Sequence, residues 1–337
     1  MKKRQTVFFT APGQVEIRRE PLPAPAAGQL LVETVVSAIS SGTEMLVYRG
    51  QFPKMEVDTT IAGLAREFAY PLAYGYAAVG RVKELGKQVD RSWLGHLVFS
   101  FQPHTSHFLA TPEAVFPVPE GFSPEAAAFL PNMETAVNLV QDGAPILGER
   151  VLVLGQGIIG LLTSALLQQF PLEMLVSADC YPCRRAAAGG LGVSACLDPE
   201  LPGFSSAARA LLGAGADLTY ELSGNPLALN DAIALTRFSG RVVIGSWYGE
   251  KHTPLDLGSS FHRSRIRLVS SQVSSIAPEL SGRWDKARRF EAAWSALRRI
   301  QPEKWITQRF PLEQAPEAYR LLDESPSKAI QVVFEYQ

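Results

Sequence analysis

The segment Gly155-Gln156-Gly157-Ile158-Ile159-Gly160 spaces three glycines as GxGxxG, between an apolar run of strand length, Val151 to Leu154, and the helical run IIGLLTSALLQQF. In that context the spacing reads as a cradle for phosphate. Gly155 permits a tight turn, Gly157 lets the backbone approach a pyrophosphate, and Gly160 lets helix and strand pack. The helix start at Ile158 and Ile159 adds amide donors and the positive end of the helix dipole. An acid follows at the expected distance: Asp179, 19 residues past Gly160, closes the apolar run LEMLVSAD. Its carboxylate can accept both hydroxyls of an adenosine ribose and repels a 2′-phosphate, so NAD(H) is expected over NADP(H). Arg184, five residues on, can lie against the same ribose or reach a phosphate. The plainer alternative is a glycine-rich turn with no ligand. Cys180 and Cys183 form a CxxC just after the acid, yet the only other cysteine is Cys196. Incidental thiols are therefore a simpler reading than a metal or redox pair.

A second group of reactive side chains lies earlier. In SAISSGTEMLVYRG, Ser37, Ser40, Ser41, Thr43 and Glu44 crowd around Gly42 after an apolar run. Hydroxyls so placed either line a pocket or bond local backbone. Downstream, QPHTSHF carries His104 and His107, whose intrinsic pKa suits proton transfer near neutrality. His104 follows a Gln-Pro turn and is the stronger candidate, whereas His107, beside Phe108 in a strand-like run, reads as a packing residue. The two histidines with Glu44 or Glu134 are a conceivable metal set, although HxxH spacing is loose for one. Arg263, Arg265 and Arg267 alternate along HRSRIRLVS and are expected to share one strand face.

Two kinds of scaffold are needed to position these groups. A chain of 337 residues that is 46% hydrophobic suits two cores better than one. From Thr6 to Pro119 it is dense in Pro and Gly, with short alternating runs (TVFFT, QVEIRRE, QLLVETVVSAI, AAVGRVKEL, HLVFSF) that predict a mostly antiparallel β-domain. At Ser123 the character changes, and SPEAAAFLPNMETAVNLVQDG opens like a helix. Apolar runs at RVLVL, LEMLVSAD, ADLTYELSG, GRVVIGSW and RIRLVSS, with helical segments between several of them, are what parallel strands buried between helix layers require. The fold class expected is α/β: a β-rich domain from 1–131 and 272–337, and a doubly wound domain from 132–271. SGRWDKARRFEAAWSALRRI reads as an amphipathic helix with a charged outer face and buried tryptophans, and KAIQVVFEYQ as a terminal strand.

Charge excludes some roles. Acids and bases number 33 and 32 for a formal charge of −1, and no charge block stands out, so neither nucleic acid nor a membrane surface is an expected partner. No window of about 18 apolar residues suggests a membrane span. The basic start MKKRQTVFFTAPGQVEI has too short an apolar run for a signal peptide. With only three cysteines, a soluble cytoplasmic protein is expected.

A β-domain, a late nucleotide domain and a C-terminal return resemble the medium-chain dehydrogenase/reductase superfamily, the zinc alcohol dehydrogenase-like enzymes, over essentially the whole chain. GADLTYELSGNPLALNDAIALTRFSGRVVIGSWYG and FPLEQAPEAYRLLDESPSKAIQVVF are similar to its later cofactor-domain strands and its C-terminal segment. The resemblance implies a GroES-like catalytic domain with a Rossmann domain, adds Ser223 and Gly245 as cofactor contacts, and implies a homodimer. SSGTE is similar to the family's Cys-Gly-Thr-Asp loop, whose cysteine binds catalytic zinc and whose hydroxyl, here Thr43, relays the substrate proton. Ser41 stands for that cysteine. YGYAAVGRV resembles Gly-His-Glu-x-x-Gly-x-Val with Tyr76 for the histidine ligand and Ala77 for the glutamate, and Pro131 stands at the third ligand position. Neutral hydroxyls are poor zinc ligands and proline offers none. The four-cysteine structural lobe is missing as well.

The resemblance so modified implies a zinc-independent, NAD(H)-dependent oxidoreductase acting on a carbonyl or activated alkene of a small-molecule substrate, with Thr43, Tyr76, His104 and Glu44 as the catalytic candidates. Alternatives are a secondary-alcohol dehydrogenase with a histidine base and a non-catalytic, redox-responsive dinucleotide-binding protein. SSGTE…YRG and SSQVSS…RWDKARR are similar to a zinc-less group likened to bacteriochlorophyllide dehydrogenases, a partial likeness that leaves the substrate open.

Overall fold

The computed structural model describes residues 3–52 and 69–336. Two compact units emerge, Met1–Pro131 with Gln301–Gln337, and Asn132–Ile300.

In the first unit the alternating runs become strands β1 (Lys3–Ala11), β2 (Gln14–Pro21), β3 (Leu30–Ala38), β4 (Leu72–Ala73), β5 (Ala78–Leu85), β6 (Leu97–Ser100), β7 (His107–Ala110) and β8 (Phe116–Pro117). The C-terminal return adds β15 (Ile306–Pro311) and β16 (Gln331–Glu335). Among the described residues one sheet runs β2-β1-β4, and a larger one runs β15-β16-β3-β5-β6-β8, with β7 also paired to β3. Most pairings are antiparallel; β15 and β16 run parallel. β3 is nearly continuously apolar because it is central, and both of its faces meet other chain. Helices α1 (Thr43–Tyr48) and α9 (Ala315–Glu324) close over one core, in which Phe9, Tyr48, Tyr319 and Phe334 pack together. α2 (Pro124–Ala127) starts as expected: Ser123 Oγ accepts the Ala126 amide at 3.1 Å and proline occupies the first turn.

The second unit carries β9 (Arg150–Leu154), β10 (Met174–Ala178), β11 (Ala195–Leu197), β12 (Ala216–Glu221), β13 (Thr236–Ile244) and β14 (Arg267–Ser270). They pair in parallel in the order β11-β10-β9-β12-β13-β14. Counted along the chain this is 3-2-1-4-5-6, the dinucleotide-binding arrangement, and its strand order reverses between β9 and β12. The helices are α3 (Leu130–Gly143), α4 (Ile158–Leu167), α5 (Pro182–Gly189), α6 (Phe204–Leu212), α7 (Ala228–Leu235) and α8 (Lys286–Ile300). Val151, Leu152 and Val153 have no exposure, which explains why the strand before the glycines carries no polar alternation.

Three details differ from the sequence reading. The second unit extends to Ile300, so 272–300, assigned above to the first domain, falls within it; the chain leaves at Gln301, at φ +52°. The cause is Arg289 of α8, which is fully buried and donates to Glu134 and Asn138 of α3. The same contact revises the reading of α8: Arg289, Phe290, Ala293 and Leu297 form its buried face, while Trp284 and Trp294 are half-buried. Nor do the three arginines share a strand. Arg265 sits in a turn at φ +51°, and only Arg267 belongs to β14, which begins just after the buried Ile266.

Candidate active site

The glycine turn lies at the carboxyl end of β9, beside the strand reversal. Gly155 has φ +92°, and a Cβ there would lie 2.6 Å from backbone atoms of Leu222 and Ser223, so the β9 and β12 ends approach closely only through glycine. A Cβ on Gly160 would lie 1.9 Å from the Gly155 carbonyl oxygen, which makes this glycine a condition of helix packing on strand. Gly157, the N-cap of α4, is different. Its nearest atom outside its chain neighbours is Arg184 Nη1 at 3.7 Å, so the space above the turn is left open. One glycine for the turn, one for approach and one for packing is the division of labour a pyrophosphate site needs.

Asp179 stands at the end of β10 and is nearly buried. Its Oδ2 accepts the Gln156 amide at 2.7 Å and its Oδ1 accepts the Tyr181 amide at 2.8 Å. The acid is thus fixed onto the glycine turn, and each oxygen keeps capacity for a ribose hydroxyl. Arg184 Nη1 is 3.9 Å from the same Oδ2, with its guanidinium over the Tyr181 ring. Arg185 is held elsewhere, on Asp198 at 2.9 Å and on the carbonyls of Asp179 and Cys180. Burial, with Glu200 and Asp179 nearby, pushes the Cys180 thiol up to about 11, and burial also raises Cys196. Protonated thiols fit the incidental reading of the cysteines better than a metal site.

On the other side of the reversal, Ser223 follows β12 and Gly245 follows β13. A Cβ on Gly245 would lie 2.5 Å from Leu139 Cδ2 and 2.6 Å from Leu222 Cδ2. Glu221, with no solvent exposure, accepts the Ser223 amide at 2.8 Å and the Ser223 hydroxyl on Oε1, and the Tyr248 hydroxyl at 2.5 Å on Oε2. Neither Glu221 nor Tyr248 was singled out from sequence. The available signal was an acid ending the otherwise apolar run ADLTYE.

In the first unit the four catalytic candidates come together in two linked sets. Thr43 opens α1, and the half-buried Tyr76 donates its hydroxyl to Ser40 Oγ and is in hydrogen-bond contact with Thr43. Burial raises the Tyr76 pKa, partly offset by those two hydroxyls. Glu44 and His104 lie deeper, with no exposure. Glu44 Oε1 accepts the Ser40 amide at 2.8 Å, while its Oε2 accepts the Tyr319 hydroxyl at 2.5 Å and faces His104 Nε2 at 2.9 Å. His104 Nδ1 meets Ser37 Oγ at 2.6 Å, and Ser37 meets the Tyr336 hydroxyl at 2.7 Å. Both ring nitrogens of His104 are therefore engaged inside the unit. His107 sits in β7, 3.7 Å from Glu33, and Glu134 is held by Arg289 and Lys286. A cavity of about 570 Å³ in this unit is lined by Arg4, Thr6, Leu72, Gln102 and Thr105, among others, and by none of the four candidates.

At the three positions that the resemblance assigns to zinc ligands, the side chains are poor donors for that metal. A ligand at Tyr76 would have to be phenolate, and burial favours the neutral phenol; Ser41 offers a hydroxyl, and Pro131, buried in the first turn of α3, has no side-chain donor. Among the described residues no group of three or more His, Cys, Asp or Glu is gathered as a metal would require.

Comparison with known proteins agrees with this architecture. The family model "Zinc-binding dehydrogenase" matches residues 159–291. The L-galactonate-5-dehydrogenase of Escherichia coli K12 is 24% identical over 351 residues, covering 95% of each chain. An alcohol dehydrogenase of Escherichia coli CFT073 complexed with NADH superposes with TM-score 0.80 at 18% identity, covering 99% of this chain and 100% of that one. A zinc-binding dehydrogenase of Sinorhizobium meliloti 1021 bound to NADP gives 0.79 at 18% identity with the same coverage. With its 3-2-1-4-5-6 sheet, its glycine turn and these relatives, the chain is similar in sequence and fold to the medium-chain dehydrogenase/reductase oxidoreductases.

Proposed function

We propose that the chain is a zinc-independent, NAD(H)-dependent oxidoreductase that moves hydride to or from a carbonyl or activated alkene of a small or aromatic organic substrate. The observation that carries this reading is Asp179, bound at 2.7 Å to the Gln156 amide inside the GxGxxG turn at the strand reversal. On this reading its carboxylate accepts a ribose diol and repels a 2′-phosphate. A bound nicotinamide supplies the hydride donor or acceptor. The protein's own part is to stabilise charge on the substrate oxygen, which in the absence of a Lewis acid falls to hydroxyl donors. Thr43 and Tyr76 are those donors, the Tyr76 hydroxyl exchanging its Ser40 acceptor for the substrate oxygen. Glu44 and His104 serve behind them. In keeping with the resemblance, the protein is read as a cytoplasmic homodimer that acts on a small molecule.

Calorimetry tests the coenzyme: NADH binds more tightly than NADPH, and Asp179→Ala erodes the preference. Equal affinities in the wild type refute the role given to Asp179. Metal analysis of the purified protein returns less than one zinc per chain; a tightly held equivalent refutes zinc independence. Turnover of a panel of quinones, enones and secondary alcohols, followed by NADH absorbance, identifies the substrate class.

A further inference from the structure

The glycine turn and Asp179 account for the adenosine and pyrophosphate part of a dinucleotide, on the β9–β10 side of the strand reversal. The other mononucleotide then falls at the carboxyl ends of β12 and β13. Two loops meet there, 222–225 after β12 and 245–251 after β13, and side chains stitch them together. Glu221 is the centre: its Oε1 holds the Ser223 amide and hydroxyl, and its Oε2 holds the Tyr248 hydroxyl at 2.5 Å. Ser246 Oγ accepts the Gly224 amide at 2.9 Å, and Lys251 Nζ donates to the Gly224 carbonyl at 2.8 Å. The Gly245 amide donates to the Glu221 carbonyl at 3.0 Å. This stitching abuts the phosphate turn, since a Cβ on Gly155 would touch Leu222 and Ser223 at 2.6 Å.

A carboxylate with no solvent exposure has to be answered by donors, and here every donor it takes belongs to one of the two loops. We infer that Glu221 and Tyr248 are positioning residues for the nicotinamide half of the coenzyme, forming a latch that fixes the Ser223 and Gly245 loops at one spacing. The inference rests on the proposed dinucleotide function and extends it to residues outside the glycine turn. Removing the Tyr248 hydroxyl leaves Oε2 of a buried carboxylate without its donor, so the two loops drift relative to each other. The adenosine side is untouched, because Asp179 and the glycine turn are held by their own bonds.

The test compares NADH with ADP-ribose, which lacks the nicotinamide, by calorimetry on wild type, Tyr248→Phe and Glu221→Gln. Tyr248→Phe is expected to weaken NADH about tenfold while leaving ADP-ribose within about twofold, and Glu221→Gln to show the same split. A uniform structural loosening would weaken both ligands together, and that result overturns the inference, as does unchanged NADH affinity in both variants. Tyr248→Phe changes one hydroxyl, and Glu221→Gln provides the same comparison should it unfold. Wild-type protein that binds neither ligand refutes the dinucleotide reading itself, and with it this inference.

Discussion

Glu44 Oε2 lies 2.9 Å from His104 Nε2 in the interior of the first unit, and neither side chain has any exposure to solvent. The pair ties together the Ser40–Glu44 turn, the His104 segment, β3 through Ser37 and α9 through Tyr319. Glu44→Ala strands three donors at once, and loss of one partner of a buried pair typically costs about 3 to 5 kcal/mol. Glu44→Gln keeps one carbonyl acceptor and is expected to cost about half as much. Urea unfolding followed by circular dichroism checks the order; equal stability of wild type and Glu44→Ala would show that the network contributes nothing to folding.

The three glycines of the turn separate folding from binding. Gly160→Ala places a methyl 1.9 Å from a backbone oxygen that cannot move away without parting β9 from α4. It is expected to destabilise by about 2 kcal/mol or more. Gly157→Ala meets nothing closer than Arg184 Nη1 at 3.7 Å. Its melting temperature is expected to match wild type while NADH affinity falls at least about tenfold, because the methyl enters the space reserved for pyrophosphate. A Gly157→Ala protein that binds NADH normally would show that the turn holds no phosphate.

Local patterns in the sequence carried the elements and the coenzyme turn, and stopped at long-range pairing. The GxGxxG turn, its strand and Asp179 were legible because the single segment 151–179 contains the whole relationship. Thr43, Glu44, Tyr76 and His104 were each legible as chemistry. That Glu44 faces His104, 60 residues away, and Tyr319, 275 away, follows from how β3, β16 and α9 pack, which no period of 2 or 3.6 encodes. Arg289 was misread for a related reason: an arginine among charged neighbours on an amphipathic helix looks solvated, and only a partner at Glu134, 155 residues earlier, reveals otherwise. β15 escaped notice because it is an edge strand of alternating half-burial that ends in proline.

Arg289 gives a prediction of its own. Its Nε and Nη2 donate to Glu134 Oε1 at 3.1 and 2.9 Å, Nη1 reaches Asn138 and the Ser275 carbonyl, and Nη2 also reaches the Val273 carbonyl. Only a planar fork satisfies partners on three sides, so Arg289→Lys is not conservative here. It is expected to cost about 2 to 4 kcal/mol in urea unfolding, close to the cost of Arg289→Ala. Full retention of stability by the lysine variant would show that charge alone, without the fork, holds α8 to α3.

Buried phenols make the fold sensitive to alkali. Burial raises the pKa of Tyr74, Tyr220, Tyr319 and Tyr336 above the ordinary value of 10.0, and that of Tyr76 as well. The sign follows from proton counting. Below pH 10 these phenols are protonated in both folded and unfolded chains, and their contribution to stability is fully present. Above pH 10 the unfolded chain releases protons that the folded chain retains, so it binds fewer, and the free energy of unfolding falls as pH rises. Each such residue is expected to remove up to about 1.4 kcal/mol per pH unit between its unfolded and folded pKa values. Tyrosine ionisation followed at 295 nm should then show exposed phenols titrating near 10, and the buried ones appearing only together with loss of the circular dichroism signal. Smooth titration of every tyrosine with the fold intact would refute the burial assigned to these phenols.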